Sequence, residues 1–290
     1  MADKFPEPDR LGEVNGLSLS GFHKLAFTDW GPEDAEETVI CVHGLTRQGR
    51  DFDALASRLA KDGYRVVCPD LVGRGRSGWL PNLTDYVFPQ YCADMGILLA
   101  SLHARKVHWV GTSLGGLIGM ALTASERSPI ASLVINDIGP EVPPSASWRV
   151  GLRLASYGGP LKSMQEAEAQ IRKIYAACGD LSDAEWRQMT VHSFREENGR
   201  FISHLDPKVR MAYQWFLYYR MSMWQYWRAI DVPVLLVHGA ESDFVPARTV
   251  RQMEREMPHL QRYLVPDAGH MPSLMVDDQI EAVRSFLKAN

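Results

Sequence analysis

Four short, nearly uninterrupted apolar runs, at 38–42, 64–69, 107–110 and 132–135, alternate with segments of helical periodicity. Few architectures accommodate that alternation. A run with no polar positions suits a strand covered on both faces, as in a parallel sheet. The intervening stretches 51–61, 91–103 and 117–124 place their apolar residues on one helical stripe, as Phe52, Leu55, Ala56 and Leu59 do in the first of them. The order β-α-β-α-β-α-β predicts an α/β fold, a mostly parallel twisted sheet with helices on both faces. Ahead of it, 17–30 alternates as two antiparallel strands about a turn at Ser20 and Gly21.

The pattern breaks after residue 142. Over 143–227 only helical periodicity is legible, with Ser182 and Glu185 spaced as a capping box. Strand character returns at 232–237 and 261–265, each followed by a helical stripe, at 249–256 and from Asp277. The simplest organisation is one sheet in two parts, 1–142 and 229–290, interrupted by a helical cap insertion over 143–228. With a net charge of −4 the chain has no basic footprint for nucleic acid, and a small, neutral substrate is favoured. No apolar stretch is long enough for a membrane span, and the first ten residues resemble no secretory signal. The four cysteines form no closely spaced pair. Cys41 and Cys68 fall inside apolar runs and read as core residues, and reduced thiols suit a cytoplasmic protein.

Gly111-Thr112-Ser113-Leu114-Gly115-Gly116 lies between the strand at 107–110 and the helix at 117–124. The G-x-S-x-G pattern is weak alone, but this setting is that of a nucleophile elbow. There a serine sits on a sharp turn, and any side chain two residues to either side would collide across it. Gly111 and Gly115 remove those collisions, and the helix N-terminus favours developing negative charge near Ser113.

In these residues the chain resembles the α/β-hydrolase superfamily, and the likeness runs over nearly its whole length. The resemblance implies a carboxylesterase-like serine hydrolase with nucleophile, acid and histidine in that chain order. Ser113 is then the nucleophile. The oxyanion donors are the N–H of Leu114, next in sequence, and the N–H of Leu45 in His43-Gly44-Leu45, which resembles the family's HG-x motif. The loop from Asp70 to Ser77 also resembles a family hallmark, with Asp70 holding its turn rather than taking part in chemistry. For the acid, the resemblance points to Asp243, on the loop running from Gly239 to Pro246, which is read as the family's G-x-x-D-x-x-x-P context. Asp137, after the preceding strand, and Glu241 are the alternatives. Of nine histidines, His270 has the family's position, in Gly269-His270 beyond the last strand.

The resemblance calls for neither a cofactor nor a metal. The substrate it suggests is a small neutral ester, and aliphatic polyesters are among the possibilities. Residues 213–227, YQWFLYYRMSMWQYW, are dense in aromatics and read mostly as core, with one face free to line an apolar pocket beside Leu45 and Met271. Other readings stay open. The same triad serves lactone or carbon–carbon hydrolysis, acyl transfer or perhydrolysis, although carbon–carbon hydrolases commonly carry Asn where Thr112 stands. A non-catalytic binding protein of this fold would normally have lost a triad member.

Overall fold

The computed structural model describes residues 5–155, 157, 159–216 and 222–290. Strands β1 (Arg10–Ser18) and β2 (Gly21–Trp30) form a hairpin; β1 begins well before the expected position, and its side chains alternate in exposure because only one face is covered. β3 (Glu37–Val42) leads through a short 3-10 turn, Gly49–Phe52, into α1 (Asp53–Lys61) and β4 (Arg65–Pro69). Then follow α2 (Phe88–Leu102), β5 (Lys106–Thr112), α3 (Leu114–Thr123) and β6 (Ile130–Asn136). Cys41 and Cys68 are buried in β3 and β4, as their apolar surroundings predict.

Between β6 and the return to the sheet lie α4 (Pro144–Ala155), α5 (Met164–Ile174), α6 (Asp183–Val191), β7 (Phe194–Glu197), β8 (Arg200–Ser203), α7 (Pro207–Phe216) and α8 (Trp224–Ala229). The Ser182 capping box opens α6, with Ser182 and Glu185 satisfying each other's backbone N–H groups. The hairpin β7–β8 corrects the expectation of helices alone. Its turn is Asn198-Gly199, both at positive φ, the pair that a two-residue hairpin turn favours. The signal was present, but the flanking residues, half of them charged and only Phe194 buried, lack the apolar alternation that announces a strand.

The chain closes with β9 (Val234–Gly239), α9 (Ala247–Glu256), β10 (Gln261–Val265) and α10 (Asp277–Lys288). The eight-stranded sheet runs β1-β2-β4-β3-β5-β6-β9-β10, parallel from β4 onward. Register brings the strand ends level: Val42 pairs with Gly111, Gly111 with Ile135, and Ile135 with Leu236. The loops that follow β3, β5, β6, β9 and β10 therefore open along one edge of the sheet, where ligands meet open α/β sheets.

Candidate active site

Ser113 occupies the turn between β5 and α3 at φ 52° and ψ −111°, a conformation that a residue with a Cβ adopts only at a cost. Its neighbours explain how the turn is tolerated. A Cβ at Gly111 would lie 2.3 Å from the carbonyl oxygen of Gly115, and one at Gly115 only 2.0 Å from that of Val42. Ser113 N–H donates to the Asn136 carbonyl at 3.0 Å, which pins the turn to the end of β6.

His270 stands on the loop after β10 with its ring buried. Its Nε2 lies 3.1 Å from Ser113 Oγ, and Phe244 stacks on the imidazole with ring centroids 3.5 Å apart. Nδ1 lies 2.9 Å from Oδ2 of Asp137, a residue with no exposed surface. A carboxylate buried so deeply needs partners. Gly239 N–H donates to Oδ1 at 3.0 Å and Ser242 Oγ–H to Oδ2 at 2.6 Å. Asp137 itself is at positive φ, 51°, one residue past β6, and its N–H donates to the Val237 carbonyl at 2.8 Å.

The expectation that Asp243 is the acid is therefore corrected: of the candidates, Asp137 faces His270, while Asp243 forms an ion pair with Arg149 of α4 and is one-third exposed. Glu241 is exposed too. The error lies in the count. In G-x-x-D-x-x-x-P the fourth position from Gly239 is Ser242, and the eighth is Pro246. Ser242 turns inward onto Asp137, and the next residue turns out. The family's acid position is thus held by a serine in this chain, which leaves Asp137 as the carboxylate at hand.

The loop after β3 is rigidly held. His43 Nδ1–H donates to the Gly44 carbonyl at 2.7 Å, and Nε2 accepts Leu71 N–H at 2.9 Å, so the ring bridges two loops as a neutral group. Arg74, fully buried, donates from Nε to the Leu45 carbonyl at 2.8 Å and stacks on Tyr91. Arg47 is buried against Asp51 and Tyr175 and reaches Ser193 Oγ at 3.0 Å, tying this loop to the segment after α6. Asp70 has the structural part expected of it, accepting from Gly49 N–H and Arg76 N–H at 2.8 Å each. Leu114 begins α3, so its N–H is among the amides that a helix leaves without an internal acceptor.

Burial lowers the His43 pKa to about 3, with Arg74 and Arg47 pushing the same way. The unfolded chain takes up that proton near pH 6.5, so the stability tied to a neutral His43 is whole above about pH 6.5 and is lost as the pH falls toward 3. By pH 4 the loss should reach about 3 kcal/mol. Thermal melts of the native protein should fall more steeply between pH 6.5 and 4 than those of His43→Gln. Parallel curves would show that His43 is not the group responsible.

Ser113 opens into a cleft of about 1080 Å³, counting its open mouth, walled by Leu45, Phe88, Val150, Tyr213 and Phe244 among others. No described residue lining it is charged. Met271 departs from expectation: it lines a smaller cavity with His43 and Gly44 rather than the cleft. Of the aromatic run at 213–227, Tyr213 lines the cleft, whereas Met223, Trp224 and Trp227 are core residues; the side chains of 214–221 lie outside what is described. Thr112 Oγ1 accepts from Asn136 Nδ2 at 3.0 Å, and Asn136 Nδ2 also reaches the Pro272 carbonyl at 2.7 Å, joining β5, β6 and the histidine loop. Among the described residues no helix is long and apolar enough to cross a membrane.

A profile of the alpha/beta hydrolase family matches residues 39–285. The chain is 39% identical over 288 residues to the 3-hydroxybutyrate-oligomer hydrolase of Cupriavidus necator, covering 96% of this chain and 97% of that protein. It is 25% identical over 252 residues to Esterase YbfF of Escherichia coli, covering 86% and 92% respectively. Among solved structures, an alpha/beta hydrolase from Novosphingobium aromaticivorans superposes with a TM-score of 0.86 at 29% identity, covering 97% of this chain and 99% of that one.

Proposed function

The chain belongs to the alpha/beta hydrolase family, and on that footing we propose that it hydrolyses small carboxylic esters through an acyl-enzyme on Ser113, both neutral esters and short oligomers of 3-hydroxybutyrate, in which the scissile repeat is uncharged and only the chain end carries a carboxylate. The observation that carries this reading is the continuous line of contacts from Ser113 Oγ through His270 to Asp137. His270 takes the hydroxyl proton as Oγ attacks the ester carbonyl, and Asp137 fixes the ring so that Nε2 is the free base. The N–H groups of Leu114 and Leu45 receive the developing oxyanion; one such donor is typically worth about 3–4 kcal/mol of barrier. His270 then returns its proton to the leaving alcohol, and water activated by the same ring releases the acid.

The uncharged cleft suits the repeating unit of a hydroxybutyrate oligomer, a methyl-bearing ester without charge along its length. The resemblance to the Cupriavidus necator hydrolase points to the same substrate. Residues 143–228 act as the cap whose helices α4 and α7 supply the cleft's outer wall. Cys41 and Cys68, buried in β3 and β4 without a disulfide, fit a reducing cytoplasm.

The test is direct. Purified protein is incubated with the linear dimer and trimer of 3-hydroxybutyrate, a nitrophenyl butyrate, a lactone and a peptide amide, and the products are resolved by chromatography. Monomer release from the oligomers and cleavage of the nitrophenyl ester are expected, at rates well above those for lactone and amide. A folded protein that cleaves the lactone or the amide but leaves every linear ester intact would refute the proposal.

A further inference from the structure

We propose that Ser242 is a positioning residue for the acid: its hydroxyl fixes Oδ2 of Asp137 toward His270, in the place where the family pattern would put a carboxylate. The proposal rests on the reading of Ser113, His270 and Asp137 as a working triad.

The hydrogen bonds leave the Ser242 hydroxyl one orientation. Its oxygen accepts from Phe244 N–H and Val245 N–H, each at 3.2 Å. With both backbone donors aimed at the oxygen, the single hydroxyl proton is committed to the remaining neighbour, Asp137 Oδ2, at 2.6 Å. A hydroxyl offers one donor and two acceptor sites, so all of its capacity is used. Oδ2 is also the oxygen that meets His270 Nδ1, whereas Oδ1 is held by Gly239 N–H. Without Ser242, the oxygen nearest the imidazole has no described partner except the imidazole itself. Its placement would then depend on the group it is meant to orient.

Ser242 also links the acid to the ring from a second side. The backbone N–H it receives belongs to Phe244, whose ring stacks on His270. One side chain thus couples the carboxylate below the imidazole edge to the aromatic plane against its face. Its own backbone N–H donates to the Gly239 carbonyl at 3.0 Å, closing the turn that carries all of these groups.

A serine that merely stabilised this turn would affect folding, and its loss would be felt whatever stood at position 137. A positioning serine acts only through Asp137. The two roles are separated by a double-mutant cycle. The readout is the second-order rate of Ser113 labelling by a fluorophosphonate, which reports activation of the nucleophile irrespective of the preferred ester. Ser242→Ala should slow labelling about tenfold, the scale of one lost hydrogen bond to a charged group, and Ser242→Thr, which keeps the hydroxyl, should restore most of the rate. In an Asp137→Ala background, adding Ser242→Ala should change the rate by less than twofold. Equal slowing in both backgrounds, or no slowing in either, would overturn the proposal, with thermal melts confirming that each variant is folded. A wild-type protein that is never labelled would instead refute the triad reading. Failure to cleave hydroxybutyrate oligomers would leave this test untouched.

Discussion

Asp137→Asn is expected to lower kcat on a nitrophenyl ester by roughly 10⁴-fold, while Asp243→Asn stays within a few-fold of the native enzyme. The asymmetry follows from what each carboxylate touches. Asp137 meets His270 Nδ1 at 2.9 Å and has no contact with solvent. An amide in its place presents either an N–H, which repels the proton on Nδ1, or a carbonyl with less hold on it. The ring then settles with its proton on Nε2, facing Ser113, where it can no longer act as a base. Asp243 is one residue beyond Ser242 on the outer side of the loop, and its partner is Arg149. Both residues of that pair are partly exposed, and an exposed ion pair is worth at most about 1 kcal/mol. Steady-state kinetics on the two variants checks both statements. Collapse of Asp243→Asn with survival of Asp137→Asn would restore the assignment read from sequence.

That reversal marks where the sequence stopped being legible. The strands β3, β5, β6 and β9 were visible because burial on both faces leaves few polar positions in them, and the elbow was visible because a Cβ at Gly111 or Gly115 would meet backbone atoms at about 2 Å. His270 was singled out by its place after the last strand, and its ring lies beside Ser113. The acid differs in kind. Two strand ends, those of β6 and β9, lie side by side in register, Asn136 opposite Val237, so a carboxylate from either reaches the same imidazole. Sequence spacing along one loop cannot decide between them without an exact count, and Asp243 sits one residue from the position that counts. What decides is a backbone property, the left-handed turn at Asp137 that swings its side chain across to the end of β9. The hairpin β7–β8 went unread for a simpler reason: its strands are four residues each with only Phe194 buried, and no burial pattern imposes itself on them. The supports of the loop after β3, Arg47 and Arg74, were likewise hidden, because a long charged side chain reads as surface until its partners are known.

Removing the Ser113 hydroxyl should abolish ester hydrolysis, a fall in kcat on the order of 10⁶, whether the replacement is alanine or glycine. The two variants should nevertheless differ in stability, and in an unusual direction. At an ordinary position glycine is the less stable choice by about 0.5–1 kcal/mol, because it frees the unfolded chain. At φ 52° and ψ −111° any Cβ is strained, and such conformations cost about 1–3 kcal/mol. Ser113 makes no side-chain capping bond to α3, so no cap is lost in either variant, and both forfeit the same contact with His270. The strain then outweighs the chain entropy, and Ser113→Gly should be more stable than Ser113→Ala by about 1 kcal/mol. Denaturant unfolding of the two inactive proteins measures the difference. A more stable alanine variant would mean that the elbow carries no strain, and that Ser113 is held out over the cleft by its glycine neighbours alone.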